Sequence, residues 1–340
     1  MNFDYTDDQQ AIKSTAREFL AARFKAEKLR ELAEAGEYDD GIWREMCELG
    51  WPGIFIGEEH GGQELGVVEL GILSEELGYA LAPWPFLSNA AAGLVIQHAG
   101  SDEQKQRWLP GIASGEERGT VAYVKDGAAE LVPDVDSASI VVLVEGGSAR
   151  VVPAAEAESE RVDTIDSTRR FSRVQAPNGS GEALDGDAAA GIDAIAVVIA
   201  AEIVGVAQRT MEMSVEYAKD RQQFGRPIGV NQGVSHRCAQ MLLEIESARS
   251  AALYAGWAAD HEPESLALAG AMAKAYASDA GWRVTASALQ VHGGIGFTWE
   301  HDLHFFLKRA KTDAHLFGSA SEHRERVAQL SGLSRSAATV

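Results

Sequence analysis

From Thr6 to about Gly115 apolar residues recur at three- and four-residue spacing, as in VVELGILSEELGYAL (residues 67–81), and this period predicts helices. TDDQQAIKSTAREFLAARF opens on Thr6, whose hydroxyl suits a helix N-cap, and GSDEQKQRWLPGIASGE reads as a short helix stopped by Pro110 and Gly111. From Thr120 to about Leu184 the period changes. SIVVLVEGGSARVVP sets two β-branched runs around a Gly-Gly turn, a hairpin signature, and RRFSRVQAP alternates like a strand. APNGSGEALDGDAAAG has the composition of a surface linker. From Ile192 onward helices return, beginning with the long, Ala-rich AIAVVIAAEIVGVAQRTMEMSVEYAKDRQQFG. The expected fold is therefore mainly α with a small β domain. Its parts are an N-terminal helical domain (1–118), a reduced middle β domain (119–185) and a C-terminal helical bundle (186–335).

Composition narrows the functions this fold could serve. Lys plus Arg number 30 against 51 Asp plus Glu, a formal charge of −21, which disfavours a nucleic-acid partner because such binding rests on cations neutralising phosphates. An anionic ligand would need a local basic pocket. The two cysteines, Cys47 and Cys238, are too few for a disulfide framework or a thiolate metal site and suit a reducing cytoplasm. The first twenty residues mix charges with no apolar core, so no signal peptide is expected, and no uninterrupted apolar run is long enough to span a bilayer.

Three segments carry candidate chemistry. ELGWPGIFIGEEHGGQELGVVELGILSEELG (48–78), DRQQFGRPIGVNQ (220–232) and QVHGGIGF (290–297) occur in this order around the β segment. Together they resemble the acyl-CoA dehydrogenase family over nearly the whole chain. The resemblance implies an acyl-CoA dehydrogenase-like fold ending in a four-helix bundle, an FAD cofactor and an acyl-CoA substrate. It assigns Arg221 and Gln223 to the FAD diphosphate and Phe224 to the neighbourhood of the adenine. It assigns Gln290, Gly293 and Gly294 to an FAD shared across a subunit interface. A guanidinium supplies fixed, always-charged donors to a diphosphate, and bare glycine backbone allows close approach. Alternatives stay open from the residues alone: Arg221 could pair with Asp220 or Glu216, and the Gly pair could be a helix stop. His292, His301 and His304 are spaced as packing or surface residues rather than as metal ligands.

Two departures from the family pattern bear on catalysis. The expected strands that would hold the flavin ring and the thioester are not recognisable in GTVAYVKDGAAELVPDVDSASIVVLV, although TIDSTRRFSRV resembles the domain's last strands. The general base that removes the α-proton is a Glu at either of two family positions, and Ile195 and Gly318 occupy them here. Glu202 and Asp193 are the acidic residues left on or near the long helix. Glu202 is the one candidate base, set against an ion-paired structural role, and Asp193 reads as a helix cap.

Three functions are consistent with these residues. The chain is a partner subunit that gives half of an FAD site to a catalytic chain in an α2β2 heterotetramer, as in the actinobacterial steroid side-chain members it resembles. Alternatively it is a self-associating homomeric enzyme using Glu202, or a flavin-free scaffolding or binding protein. In the first two, electrons from α,β-dehydrogenation pass to an electron-transfer flavoprotein, and the enzyme is expected in the cytoplasm.

Overall fold

The computed structural model describes residues 4–83, 85–176 and 179–333. Pro177 and Asn178 of the expected linker, and Ser334 and Arg335 at the expected end of the bundle, lie outside them. Six helices come first: α1 (Asp7–Arg23), α2 (Ala26–Ala35), α3 (Asp40–Glu48), α4 (Val67–Ala80), α5 (Phe86–Ala99) and α6 (Asp102–Ser114). Thr6 caps α1 through a complete capping box with Gln9. Helix α6 does not stop at Pro110. It runs through the proline to Ser114 and ends where Gly115 turns left-handed (φ 72°), because burying Ile112 and Ala113 offsets the one backbone hydrogen bond a proline removes. Helix α5 is buried on nearly every side, and its Asn89 joins three elements: the amide nitrogen donates to the Ile112 carbonyl and the amide oxygen accepts from Gly119 N–H.

The middle region forms two small sheets. β1 (Gly119–Tyr123), β3 (Ile140–Glu145), β4 (Ser148–Pro153) and β7 (Glu182–Ala183) make one, with β1 parallel to β3. β2 (Ala128–Pro133), β6 (Phe171–Gln175) and β5 (Glu158–Val162) make the other. Ala122, Ala129, Val132, Leu143, Val152 and Val174 share one buried core. β3 and β4 are the predicted hairpin and β6 the predicted alternating strand. β1 and β2 occupy the stretch in which no strands were recognised. β1 is buried along most of its length, so it carries no alternation, and its turn into β2 takes left-handed backbone at Asp126 and Gly127.

The bundle consists of α7 (Ala189–Asp220), α8 (Gln232–His261), α9 (Pro263–His292), α10 (Leu303–Asp313) and α11 (Ala320–Leu330), with a two-residue hairpin, β8 (Gln222–Gln223) and β9 (Arg226–Pro227), after α7. Although Asp193 and Glu202 interrupt its apolar run, α7 is by length and composition long and apolar enough to cross a bilayer, with a window of mean hydropathy 2.1. In the structure 83% of that window is buried, against α4, α8 and α9 among others, as in a soluble core helix. The α4–α7 crossing is close because glycines face backbone on both sides. A Cβ on Gly205 would lie 1.8 Å from the Glu75 carbonyl oxygen, and one on Gly78 would lie 2.2 Å from that of Glu202. Asp193 is not a cap: α7 starts four residues earlier, and the buried Asp193 carboxylate pairs with Arg326 of α11.

One cluster of buried charge ties the middle region to the bundle. The segment between β5 and β6 contributes Asp166, Thr168 and Arg169, α7 contributes Glu202, and α10 contributes Arg309 and Asp313. Arg169 donates to Glu202 at 2.5 and 2.6 Å and to Asp313 Oδ1 at 2.6 Å. Arg309 donates to Asp166 Oδ2 (3.0 Å), Glu202 Oε1 (2.9 Å) and both oxygens of Thr168. Both guanidiniums are almost wholly buried, at 6% and 0% exposure, so each depends on these partners to replace lost water. Three carboxylates face two guanidiniums, and Asp313 Oδ2 has no hydrogen-bond partner among the described residues. Burial, with the neighbouring carboxylates Glu202 and Asp166, pushes the Asp313 pKa up to about 7.

Two predictions follow from the cluster. Replacing Arg309 by Met leaves Asp166 without a guanidinium and Glu202 with Arg169 alone, and should lower unfolding stability by about 3–5 kcal/mol in urea titration. For Asp313 the folded pKa lies above the unfolded 3.8, so its contribution is complete at low pH and is lost as pH rises from about 4 to about 7. Asp313→Asn supplies the neutral form permanently. The variant should therefore gain stability relative to the parent across that window; parallel stability–pH curves would contradict the assignment.

Candidate functional site

The segments expected to meet FAD lie at one end of the bundle. Helix α7 ends at Asp220 and α9 at His292, and the Tyr217 ring stacks on His292 with centroids 4.6 Å apart, which sets the turns after the two helices side by side. The β8–β9 hairpin carries Arg221, Gln223 and Phe224. The Arg221 side chain is exposed and makes no ion pair among the described residues; the sequence-level pairing with Asp220 or Glu216 does not form. Its backbone closes the turn instead, since Arg221 N–H donates to the Tyr217 carbonyl and Ile228 N–H to that of Arg221. Gln223 donates only to the neighbouring Gln222 carbonyl. Phe224 stands at the hairpin tip, 97% exposed and with φ 54°. A bulky aromatic held in left-handed backbone and turned to solvent is strained and uncovered, as expected of a contact that another molecule completes.

After α9 the chain makes a short 3-10 turn, Gly293–Phe297. Gln290, Gly293 and Gly294 are exposed, Gly293 has φ 63°, and a Cβ at either glycine would meet nothing within 4 Å. The glycines are therefore not required by packing within this chain. Gly293 does act as the stop of α9, so the helix-stop role and an outward-facing backbone coexist at one residue. An exposed guanidinium and exposed glycine backbone, with the Gly293 N–H itself donating to the Leu289 carbonyl, leave room for the close approach of a diphosphate. The histidines nearby serve packing: His292 Nδ1 lies 2.9 Å from the Ala288 carbonyl, His301 packs edge-on against His292, and His304 against Trp299 and Phe305. Among the described residues no three His, Cys, Asp or Glu side chains gather as a metal-binding group.

The positions expected to bear on proton abstraction lie elsewhere. Ile195 is wholly buried in α7. Gly318 follows α10 in left-handed backbone (φ 103°), and a Cβ there would stand 2.8 Å from His323 Nε2. The loop carrying it is held by Lys274 of α9, whose buried ammonium donates to the carbonyls of Asp313 (3.0 Å), Ala314 (3.3 Å) and Gly318 (3.0 Å) and to the Ser278 hydroxyl. Burial lowers the Lys274 pKa to about 8. Glu202 is engaged by Arg169 and Arg309 and is 4% exposed, so its oxygens face guanidinium donors rather than an open cleft. Sequence inspection missed the residues that engage it. Arg169 lies in the stretch assigned to strands and Arg309 in the helix after the glycine turn, and no spacing rule links positions 140 residues apart.

Exposed apolar side chains surround the two turns and extend along the bundle, among them Phe297 (73%), Trp299 (64%), Leu243 (59%) and Met272 (50%). A surface with this many large uncovered apolar groups is characteristic of an interface.

Comparison with known proteins agrees with this geometry. Residues 6–116 match the N-terminal domain of acyl-CoA dehydrogenases and residues 188–331 the C-terminal domain. The acyl-CoA dehydrogenase IpdE2 of Mycolicibacterium smegmatis is 32% identical over 95% of this chain and 98% of its own length. The acyl-CoA dehydrogenase FadE34 of Mycobacterium tuberculosis is 33% identical over 96% of this chain but only 48% of its own. Among solved structures, a steroid acyl-CoA dehydrogenase superposes with TM-score 0.86 at 25% identity, covering 96% of this chain and 98% of the other. The ChsE4-ChsE5 complex of Mycobacterium tuberculosis superposes with TM-score 0.88 at 24% identity, covering 99% of this chain and 100% of the other, which speaks for the fold. The chain belongs to the acyl-CoA dehydrogenase family, whose enzymes are FAD-dependent oxidoreductases acting on CH–CH groups.

Proposed function

We propose that this chain is the partner subunit of a heteromeric acyl-CoA dehydrogenase and supplies half of each FAD site to a second, catalytic chain. One observation carries the proposal: Arg221, Gln223, Phe224, Gln290, Gly293 and Gly294 are turned outward, whereas neither usual base position holds a carboxylate. In this reading Arg221 and Gln223 hold the diphosphate, Phe224 covers the adenine, and Gln290, Gly293 and Gly294 close on the cofactor from across the interface. Bound there, FAD would supply the acceptor for the hydride that leaves the β-carbon of the acyl thioester. The α-proton must go to a carboxylate, and Glu202 is a poor candidate because two buried guanidiniums already occupy its oxygens. The base then comes from the partner chain, and Glu202 has a structural role.

A heteromeric assembly is supported by the apolar surface around both turns and by the likeness to a structure described as a complex of two named chains. The substrate class is an acyl-CoA, and the steroid enzyme among the structural neighbours favours a bulky, ring-bearing acyl group. Electrons leave through an electron-transfer flavoprotein, and the assembly works in the cytoplasm.

Expressed alone, the chain should purify with little FAD, and co-expression with a full-length family member should give a yellow complex carrying fewer FAD than subunits. Stoichiometric FAD on the lone chain, together with acyl-CoA oxidation, would overturn the heteromer in favour of the homomer. Arg221→Ala should weaken FAD retention by the complex by about 1.5–3 kcal/mol while leaving the circular dichroism spectrum unchanged. Glu202→Gln should lower thermal stability yet leave turnover per bound FAD within a few-fold. A fall of about 10²–10⁴ with FAD content intact would make Glu202 the base.

A further inference from the structure

The two outward-facing turns at the end of the bundle are built on separate supports. The β8–β9 hairpin rests on α7 and the glycine turn on α9 and α10, and among the described residues no hydrogen bond joins one turn to the other. The far end of the glycine turn is tied down independently. Arg30 of α2 donates to Asp302 Oδ1 and to the Trp299 carbonyl, both at 2.6 Å, and His301 Nδ1 accepts from Leu303 N–H at 3.2 Å. The contact between the two helix ends is then what aligns the hairpin with that fixed segment.

That contact is aromatic. Tyr217 stands one turn before the end of α7, and its carbonyl accepts the Arg221 N–H, so its backbone is hydrogen-bonded to the residue that opens the hairpin. His292 is the last residue of α9 and is joined directly to Gly293. The two rings lie 4.6 Å apart with 21° between their planes, and His301 packs edge-on against the same imidazole at 4.7 Å. The imidazole is held in one orientation. Its Nδ1 lies 2.9 Å from the Ala288 carbonyl oxygen, a contact that requires an N–H there, and the residue is 3% exposed. Burial lowers its pKa and keeps the ring neutral. The Tyr217 hydroxyl makes no hydrogen bond among the described residues, so the ring face is what this side chain contributes.

A diphosphate is short. A guanidinium from one turn and glycine backbone from the other reach it together only at one spacing, and a contact that sets this spacing before binding removes an ordering cost from the ligand. We infer that Tyr217 and His292 are positioning residues, their stacked rings holding the Arg221 hairpin and the Gly293 turn at the spacing that a single FAD diphosphate requires. The inference rests on the reading that both turns meet FAD.

The test is FAD release from the assembled complex on dilution, read as recovery of flavin fluorescence. Tyr217→Phe keeps the ring and should keep most of the parent's affinity. Tyr217→Leu keeps apolar volume without a ring face and should weaken FAD by about 2–12-fold, the equivalent of one aromatic contact. His292→Phe and His292→Leu should show the same contrast. Both lose the bond to Ala288, so their difference reads the stack alone, and this pair serves if a Tyr217 variant does not assemble. A role in stability alone would leave the effect of Arg221 intact. If the stack positions that guanidinium, Arg221→Ala should cost less affinity in the Tyr217→Leu or His292→Leu background than in the parent. Equal affinity of the Phe and Leu variants, or costs that simply add, would overturn the inference. If Arg221→Ala weakens FAD in the parent while the contrast between Phe and Leu is absent, only this inference falls. If Arg221→Ala has no effect in the parent, the shared-FAD reading falls and takes this one with it.

Discussion

The pairing of Arg169 and Arg309 with Asp166, Glu202 and Asp313 constrains most of what surrounds it. Burying a guanidinium is tolerable only when each N–H finds an acceptor in fixed geometry, so the segment before β6, helix α7 and helix α10 must meet at one point. That junction fixes how the small sheets sit on the bundle. An apolar core of equal volume could stabilise the same contact, but it would not select one register of α10 against α7 as a set of directed hydrogen bonds does.

The same junction explains why Glu202 is a poor base. A base must present a lone pair to substrate, and a carboxylate whose two oxygens already accept from guanidiniums has none free in that direction. Lys274 is the companion device, since it neutralises the carbonyls that α10 leaves unpaired at its C-terminus and so sets the path of the loop through Gly318.

Much of this was legible in the sequence, though unevenly. Helical period, the capping box at Thr6 and the β3–β4 hairpin are local properties, encoded within a few residues of where they act. The glycine turn and the Arg221 segment stood out through their resemblance to a family pattern, while the β8–β9 hairpin that carries Gln223 was not read from the residues. Strand β1 was hidden by its near-complete burial, which removes the alternation that marks a strand. The course of α6 through Pro110 was misjudged because tertiary burial outweighed a local breaker. Asp193 was misplaced because its partner, Arg326, comes from a helix far along the chain. The ion cluster had no sequence signature, since its members meet only after the chain has folded.

Gly318 bears on how such a chain could change over generations. Its left-handed backbone disfavours any side chain, and a Cβ would collide with the imidazole of His323, which is itself held by the Phe317 carbonyl. A single substitution to glutamate would therefore install a strained residue against the His323 ring. Placing a carboxylate at this position requires His323 or the loop to move as well. The position thus disfavours a carboxylate twice over, by its backbone and by its neighbour.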